Sequence, residues 1–282
     1  MGRSSSRLVV VVASLVASGA LAGCFPPPPV YRVQRSARVF HPTVPLRTGQ
    51  ALTGPVELSF GASNVGDTQK PRPGDAGAGI EVPRHQVRGE LRMRVGVNGE
   101  VAAIHERSIG SRMYKLDDTQ AEIEDGAAIG SGGSLRYAVV SADRKLALGL
   151  DLEVMLWQLP YVEHRTCVEN CPEYEPTSTV EHDRASQATV GFGLTPSYRD
   201  GRWTVFGGVF ARNHPTIDRK GTELTTENDE DLEGGRRNVL VHAGFAVRLG
   251  PVSALVLVNQ NLTQDPVHYG PGVGLALSAT LP

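Results

Sequence analysis

The sequence is poor in the features that announce most function classes. It has three cysteines, at positions 24, 167 and 171, and aromatic residues make up 6% of it. So few thiols cannot build a disulfide scaffold, and a folded body must rest on its core and its hydrogen bonds. No stretch carries a capped helical period; the best candidate, 117–128, is short and polar. The most apolar run, Leu8 to Val16, falls well below the ~20 residues of a membrane-spanning helix. A net charge of -2 with no long basic run argues against a nucleic-acid partner. The glycine clusters at 130–134 and 270–274 lack the strand-to-helix setting of a phosphate cradle, and no nucleophile elbow is present. The acidic stretch from Asp229 opens like a calcium loop, but its twelfth position is Leu240, where a bidentate glutamate belongs. No catalytic residue, metal or cofactor is therefore expected.

What is present begins at the amino terminus. Arg3 and Arg7, the apolar run and then small residues follow the order of a secretory signal peptide. Its end, Leu21-Ala22-Gly23-Cys24, resembles the lipobox of bacterial lipoproteins. That resemblance implies cleavage before Cys24, a diacylglyceryl group on its sulfur and usually an acylated amino terminus. With Phe25 rather than aspartate next, it also implies transport to the outer membrane. Pro26 to Pro29, with Pro42 and Pro45, favour a stiff extended chain of about 3.1 Å per residue. The expected organisation is a signal peptide over 1–23, a proline-rich tether over 24–50 and a body over 51–282. In an oxidising compartment Cys167 and Cys171 read as a disulfide closing a small loop; with His164 and His182 beside them, a zinc site is the alternative.

After residue 50 the dominant period is two. Val56, Leu58 and Phe60 alternate with polar or small residues, and so do Leu91, Met93 and Val95. The clearest row is Leu146, Leu148, Leu150, Leu152, Val154 and Leu156. The pattern predicts ten strands near 54–63, 87–96, 100–108, 134–141, 145–157, 187–197, 202–211, 238–248, 252–261 and 271–281. Tight turns, Asn98-Gly99 and Asp200-Gly201 the strongest among them, alternate strictly with long polar connections. The fold class expected is all-β: an up-and-down antiparallel barrel, long loops at one end and tight turns at the other. This pattern resembles bacterial outer-membrane β-barrels over roughly residues 52 to 282. An even strand count would bring both termini to the periplasmic end. Two departures stand out: the chain ends Leu281-Pro282 rather than in an aromatic, and the aromatic girdles are thin, with Tyr198 and Trp203 for the turn end and Trp157, Tyr161 and Phe210 for the loop end.

If the aliphatic face meets lipid, the lumen receives Glu57, Glu90, Arg92, Arg94, Arg136, Asp151, Glu153, His242 and Arg248, in mixed signs that can pair. The partners are then membrane lipid, through acylated Cys24 and the barrel wall, and an unidentified molecule at the loops. The function expected is a structural or binding role for a lipid-anchored protein of the outer membrane. If the aliphatic face points inward instead, the body is a lipid-tethered, lipocalin-like soluble barrel for an apolar ligand. A third reading, a hydrolase resembling omptins, rests on His182-Asp183 in a long loop.

Overall fold

A strand whose alternate side chains prefer opposite solvents is stable only where the two faces of its sheet meet those solvents, and a membrane-embedded sheet must also close so that no edge is left unpaired. The computed structural model describes residues 27–38, 43–65, 68–69, 79–114, 127–171, 173, 178–213, 224–225, 237–263 and 268–282. The expected signal peptide over 1–23, Cys24 and the acidic stretch 229–234 lie outside them, as does the helix candidate up to residue 126. Among the described residues the regular structure is all β. In order these are β1 (Val30–Arg38), β2 (Val56–Val65), β3 (Thr68–Gln69), β4 (Gly79–Val95), β5 (Gly99–Tyr114), β6 (Ile129–Val140) and β7 (Leu146–Glu169). Then come β8 (Ser178–Asp200), β9 (Trp203–Asn213), β10 (Leu224–Thr225), β11 (Arg237–Leu249), β12 (Val252–Asn261), β13 (His268–Tyr269) and β14 (Gly272–Leu281).

Ten of these close on themselves. Around the wall run β2, β14, β12, β11, β9, β8, β7, β6, β5 and β4, and β4 returns to β2, every neighbour antiparallel. The up-and-down ten-stranded barrel expected from the alternation is the fold. Tight turns occupy one end: Gly201 (φ 59°) sits where Asp200-Gly201 was expected to turn, whereas the turn after β4 uses Gly96 (φ 68°), with Gly99 already in the next strand. In the turn 141–145 the Ser141 hydroxyl and the Lys145 amide both donate to the Asp143 carboxylate, at 2.5 and 3.1 Å, and hold its pKa below the usual carboxylate range.

The hydrophobic alternation faces outward. Leu146, Leu152 and Leu156 are 59%, 42% and 65% exposed, while Asp151 and Glu153 between them are each 1% exposed. Leu58, Phe60, Val190, Phe192, Leu275 and Leu277 extend the same apolar wall onto other strands. On β5 and β6 the outer face also carries His105 and Ser131, which pair in register and share a hydrogen bond of 2.9 Å.

Three features differ from the expected outline. First, β7 and β8 run far past the apolar belt and pair continuously up to Thr166 and Ser178, forming a tall hairpin at the loop end. Cys167 and Cys171 are joined by a disulfide near its tip, with Cα atoms 5.7 Å apart. Second, β6 begins only at Ile129, opposite Gln158, so β7 above that level has a free edge. Residues 30–38 fill it: β1 pairs antiparallel with β7 from Tyr161 to Glu169, and Ser36–Arg38 pair parallel with Gly79–Glu81 of β4. The physical reason is the cost of leaving strand edges unpaired. The described amino-terminal residues therefore stand at the loop end, while Leu281 lies at the turn end, not both at one end. Third, Trp157 and Phe210 do not belong to an outer girdle: both are 1% exposed and point into the lumen.

Candidate functional site: a charge-paired lumen and its plug

Inward positions of the ten strands are dominated by ionic and hydroxyl side chains, which a closed wall removes from bulk solvent. Burying such groups costs several kcal/mol per ion unless each is paired and hydrogen-bonded, and pairing is what the geometry shows. Arg88 of β4 forms ion pairs with Glu90 (2.5 Å), Glu153 (2.6 Å) and Glu106. Arg212 of β9 lies 3.4 Å from Glu153 and 3.6 Å from Glu106, with its guanidinium 5.2 Å above the Trp157 ring. Gln86 donates to Glu106 at 2.5 Å. Lower down, Arg92 bridges Glu57 and Glu90, both at 3.1 Å. Successive inward residues of β4, at 86, 88, 90 and 92, thus form a ladder read by carboxylates of the adjacent β2 and β5 and of β7 beyond them.

The rest of the lumen is filled by the chain itself. After β1 at the loop end, the segment Thr43 to Leu52 descends through the barrel and emerges at the turn end to begin β2. Arg212 donates to the Thr43 hydroxyl at 3.3 Å near the top. Midway, Arg47 pairs with Asp151 at 2.6 Å and donates to the Ser134 hydroxyl at 3.2 Å. Arg136 donates to the Thr48 carbonyl. At the bottom the Gln50 amide donates to Ser197 (3.1 Å) and to the Lys145 carbonyl (3.2 Å), and the Leu52 N–H donates to Glu100 at 2.8 Å. The opposite side of the segment is apolar: Val44 and Leu46 pack in one cluster with Phe206, Phe210, Leu240, Ala246, Leu257 and Ala276. Ten residues at about 3.3 Å each reach some 30 Å, about the thickness of a hydrocarbon layer. The plug is amphipathic across its section because the lumen is: ions on the β4 to β7 side, apolar groups on the β9 to β14 side.

Glycines on that apolar side make space for the filling. A Cβ at Gly274 would meet Leu46 Cδ2 at 2.7 Å, and one at Gly191 or Gly193 would strike the Phe210 ring. Gly149, on the ionic side, leaves room for the Arg136 guanidinium.

Of the residues read from the sequence as lumenal, Glu90, Arg92, Arg136, Asp151, Glu153 and His242 are buried inside the barrel and Glu57 lies half-buried at its lower end. Arg94 and Arg248 are exposed at the turn-end mouth. His242 has neither ring nitrogen hydrogen-bonded and faces the Phe206 ring at 6.2 Å. Sequence reasoning missed Arg47, Arg88, Glu100, Glu106 and Arg212, which carry much of the pairing. Inward parity on β4 could have found Arg88, one step along the face from Glu90, whereas no residue of β5 had been assigned to the lumen. Arg47 left no such signal, because the plug has no periodic pattern and its partners lie about a hundred residues away.

His182 and Asp183 are neighbours on β8, so their side chains leave opposite faces of the hairpin. Asp183 accepts hydrogen bonds from the Tyr161 hydroxyl at 3.2 Å and the Arg184 N–H at 2.7 Å. No group of three or more His, Cys, Asp or Glu side chains able to hold a metal ion occurs among the described residues.

No protein-family model matches the chain, and a search of curated proteins found no match. Among solved structures it is similar to LpxR from Salmonella typhimurium, with a TM-score of 0.41 and 8% identity, covering 80% of this chain and 100% of that one. It is also similar to the translocator domain of the autotransporter NalP from Neisseria meningitidis (TM-score 0.38, 11% identity, 80% and 88% covered). A third is the KdgM porin (TM-score 0.35, 8% identity, 80% and 99% covered). Likenesses at this level say nothing about what the chain does.

Proposed function

We propose that the protein is an outer-membrane β-barrel lipoprotein that works as a closed scaffold, with a structural or binding role exerted from its loop end. The observation that carries this reading is the inside-out distribution of polarity. An apolar wall faces outward while an ion-paired interior is sealed by the chain's own segment 43–52. So broad an exposed apolar surface has no place on a monomeric protein in water; against acyl chains it costs nothing. The lumen is no bed for an apolar ligand, since Arg88, Arg212 and their carboxylates occupy its centre. Nor is it a diffusion pore, because the plug bonds to the wall from Thr43 to Leu52.

The anchor belongs to the same reading. Cys24, carrying the acyl chains that its lipobox context implies, lies six residues before Val30, within about 20 Å of it at full extension. Since β1 stands at the loop end, the acylated terminus belongs to that side of the membrane, and the plug then carries the chain through the barrel to β2. In bacterial barrels of this kind long loops face outward and short turns the periplasm, so the anchor and the tall β7–β8 hairpin share the outer face.

The test is the behaviour of the unlipidated body. A Cys24→Ser variant is expected to stay with membranes through a carbonate wash, to need detergent for extraction, and to change gel mobility on boiling. A variant that is monodisperse in buffer without detergent would overturn the embedded reading.

A further inference from the structure

At the turn end the plug does not fill the barrel completely. Between it and the wall lies a cavity of about 130 Å³, bounded by Gln50 and Leu52 on the plug and by residues of β2, β4, β8, β9, β11, β12 and β14. Its charge is one-sided. Five arginines line it, at 47, 92, 199, 202 and 248, against one carboxylate, Glu57. Arg47 is neutralised by Asp151 and Arg92 by Glu57 and Glu90, so Glu57 is already taken. Arg199 of β8 and Arg248 of β11 have no carboxylate partner among the described residues, yet they stand close enough for the charge of one to act on the other. Arg248 donates only to the Gly250 carbonyl, at 3.0 Å. Arg202 adds a third cation at the rim, its guanidinium 5.1 Å above the Trp203 ring. Hydroxyls complete the wall: Thr204 is buried in it, and Ser253 and Ser278 lie 2.6 Å apart.

The exception matters because of the rule elsewhere in the lumen, where the buried arginines of the centre all have carboxylates. Arg199 on β8 and Arg248 on β11, with β9 between them, line one cavity without a carboxylate partner among the described residues, and an anion that both can grip relieves their mutual repulsion. Guanidinium forks match tetrahedral oxyanions bidentately and stay charged at any ambient pH. At about 130 Å³ the cavity far exceeds the roughly 10–15 Å³ that a single water needs on the same measure, so a group larger than water can enter. We propose that it is a binding site for a divalent oxyanion, the phosphoryl group of a small soluble ester or of a lipid headgroup, held between Arg199 and Arg248 with the Thr204 and Ser253 hydroxyls as further donors. The site needs only the closed barrel and stands whichever face of the membrane the turns occupy.

Titration calorimetry of inorganic phosphate into the full chain, in a non-ionic detergent at low ionic strength, tests it. Saturable binding near one per chain is expected, weakened about tenfold by either Arg199→Gln or Arg248→Gln and abolished by both together. Boiling-dependent gel mobility checks that each variant keeps its barrel. Ser253→Asp, which places a carboxylate opposite Arg248 without removing a cation, is expected to abolish binding as well. Repeating the titration in vesicles of phosphatidylcholine with phosphatidic acid, whose headgroup is a phosphomonoester, and of phosphatidylcholine alone identifies the source. Loss of the phosphate signal only with the anionic lipid assigns the site to a headgroup, and an unchanged signal in both assigns it to a soluble ester. No saturable heat in detergent, or variants that bind like the parent, would sink the proposal.

Discussion

Arg88 shows how one residue organises this interior. Three carboxylates converge on its guanidinium, and it is 4% exposed. Replacing it by Met leaves Glu90 with Arg92, and Glu153 and Glu106 with Arg212 as their one cation, and the uncompensated charge costs about 3–5 kcal/mol. The Arg88→Met barrel is therefore expected to unfold at distinctly lower urea than the parent, measured by loss of the folded gel band. Glu153→Gln is expected to be milder, because Arg88 keeps Glu90 and Glu106. A second residue-scale prediction concerns packing. Gly191→Ala drives a methyl into the Phe210 ring and is expected to cost about 1–3 kcal/mol. Gly89→Ala meets nothing within 4 Å and serves as the neutral control. Equal urea midpoints for the two alanine variants would contradict the lumenal placement of Phe210.

Among the elements, the plug and the tall hairpin behave differently. Removing residues 27–50 deletes β1 together with the plug, strips Arg47 from Asp151 and Val44 and Leu46 from the apolar cluster, and leaves the ten strands of the wall and their turns. The truncated barrel is expected to conduct ions in planar bilayers where the intact chain does not; equal silence would mean that the side-chain network closes the lumen unaided. The disulfide near the hairpin tip spans four residues, far above the apolar belt. Cys167→Ser with Cys171→Ser is accordingly expected to leave the barrel's urea midpoint unchanged, since so short a loop constrains little of the unfolded chain. The strands of the belt were legible in the sequence because an apolar exterior and an ionic interior force a strict period of two, and Leu146 to Leu156 display it without interruption. The upper halves of β7 and β8 were not, since water on both faces imposes no alternation there. Trp157 and Phe210 misled for a related reason: an aromatic suits an interfacial girdle and an apolar lumen equally, and only the Thr189 hydroxyl receiving the Trp157 N–H and the glycines facing Phe210 decide the matter. In the lumen, whichever ions sat on an obvious belt strand were readable, while Arg47 and Arg212 depended on contacts that no local pattern records.

For the whole molecule, the question is which way the chain runs through its own barrel. A terminus that enters at the loop end, threads the lumen and starts the first strand at the turn end couples the tether to the wall. The hydrogen bond from Asn170 at the hairpin tip to the Pro28 carbonyl, 3.3 Å, holds the chain before β1 against the β7–β8 hairpin. Single cysteines can read this topology, because Cys167 and Cys171 are bonded to each other and acylation occupies Cys24 in the reading above. In intact cells, a membrane-impermeant maleimide is expected to label Pro28→Cys and Ser178→Cys alike, and to leave Ala142→Cys in the turn 141–145 unlabelled until the outer membrane is permeabilised. Labelling of Ser178→Cys together with protection of Pro28→Cys would place the tether on the periplasmic side and contradict the pairing of β1 with β7. Labelling of Ala142→Cys alone would invert the barrel while keeping its threading, because Pro28 and Ser178 would then be protected together.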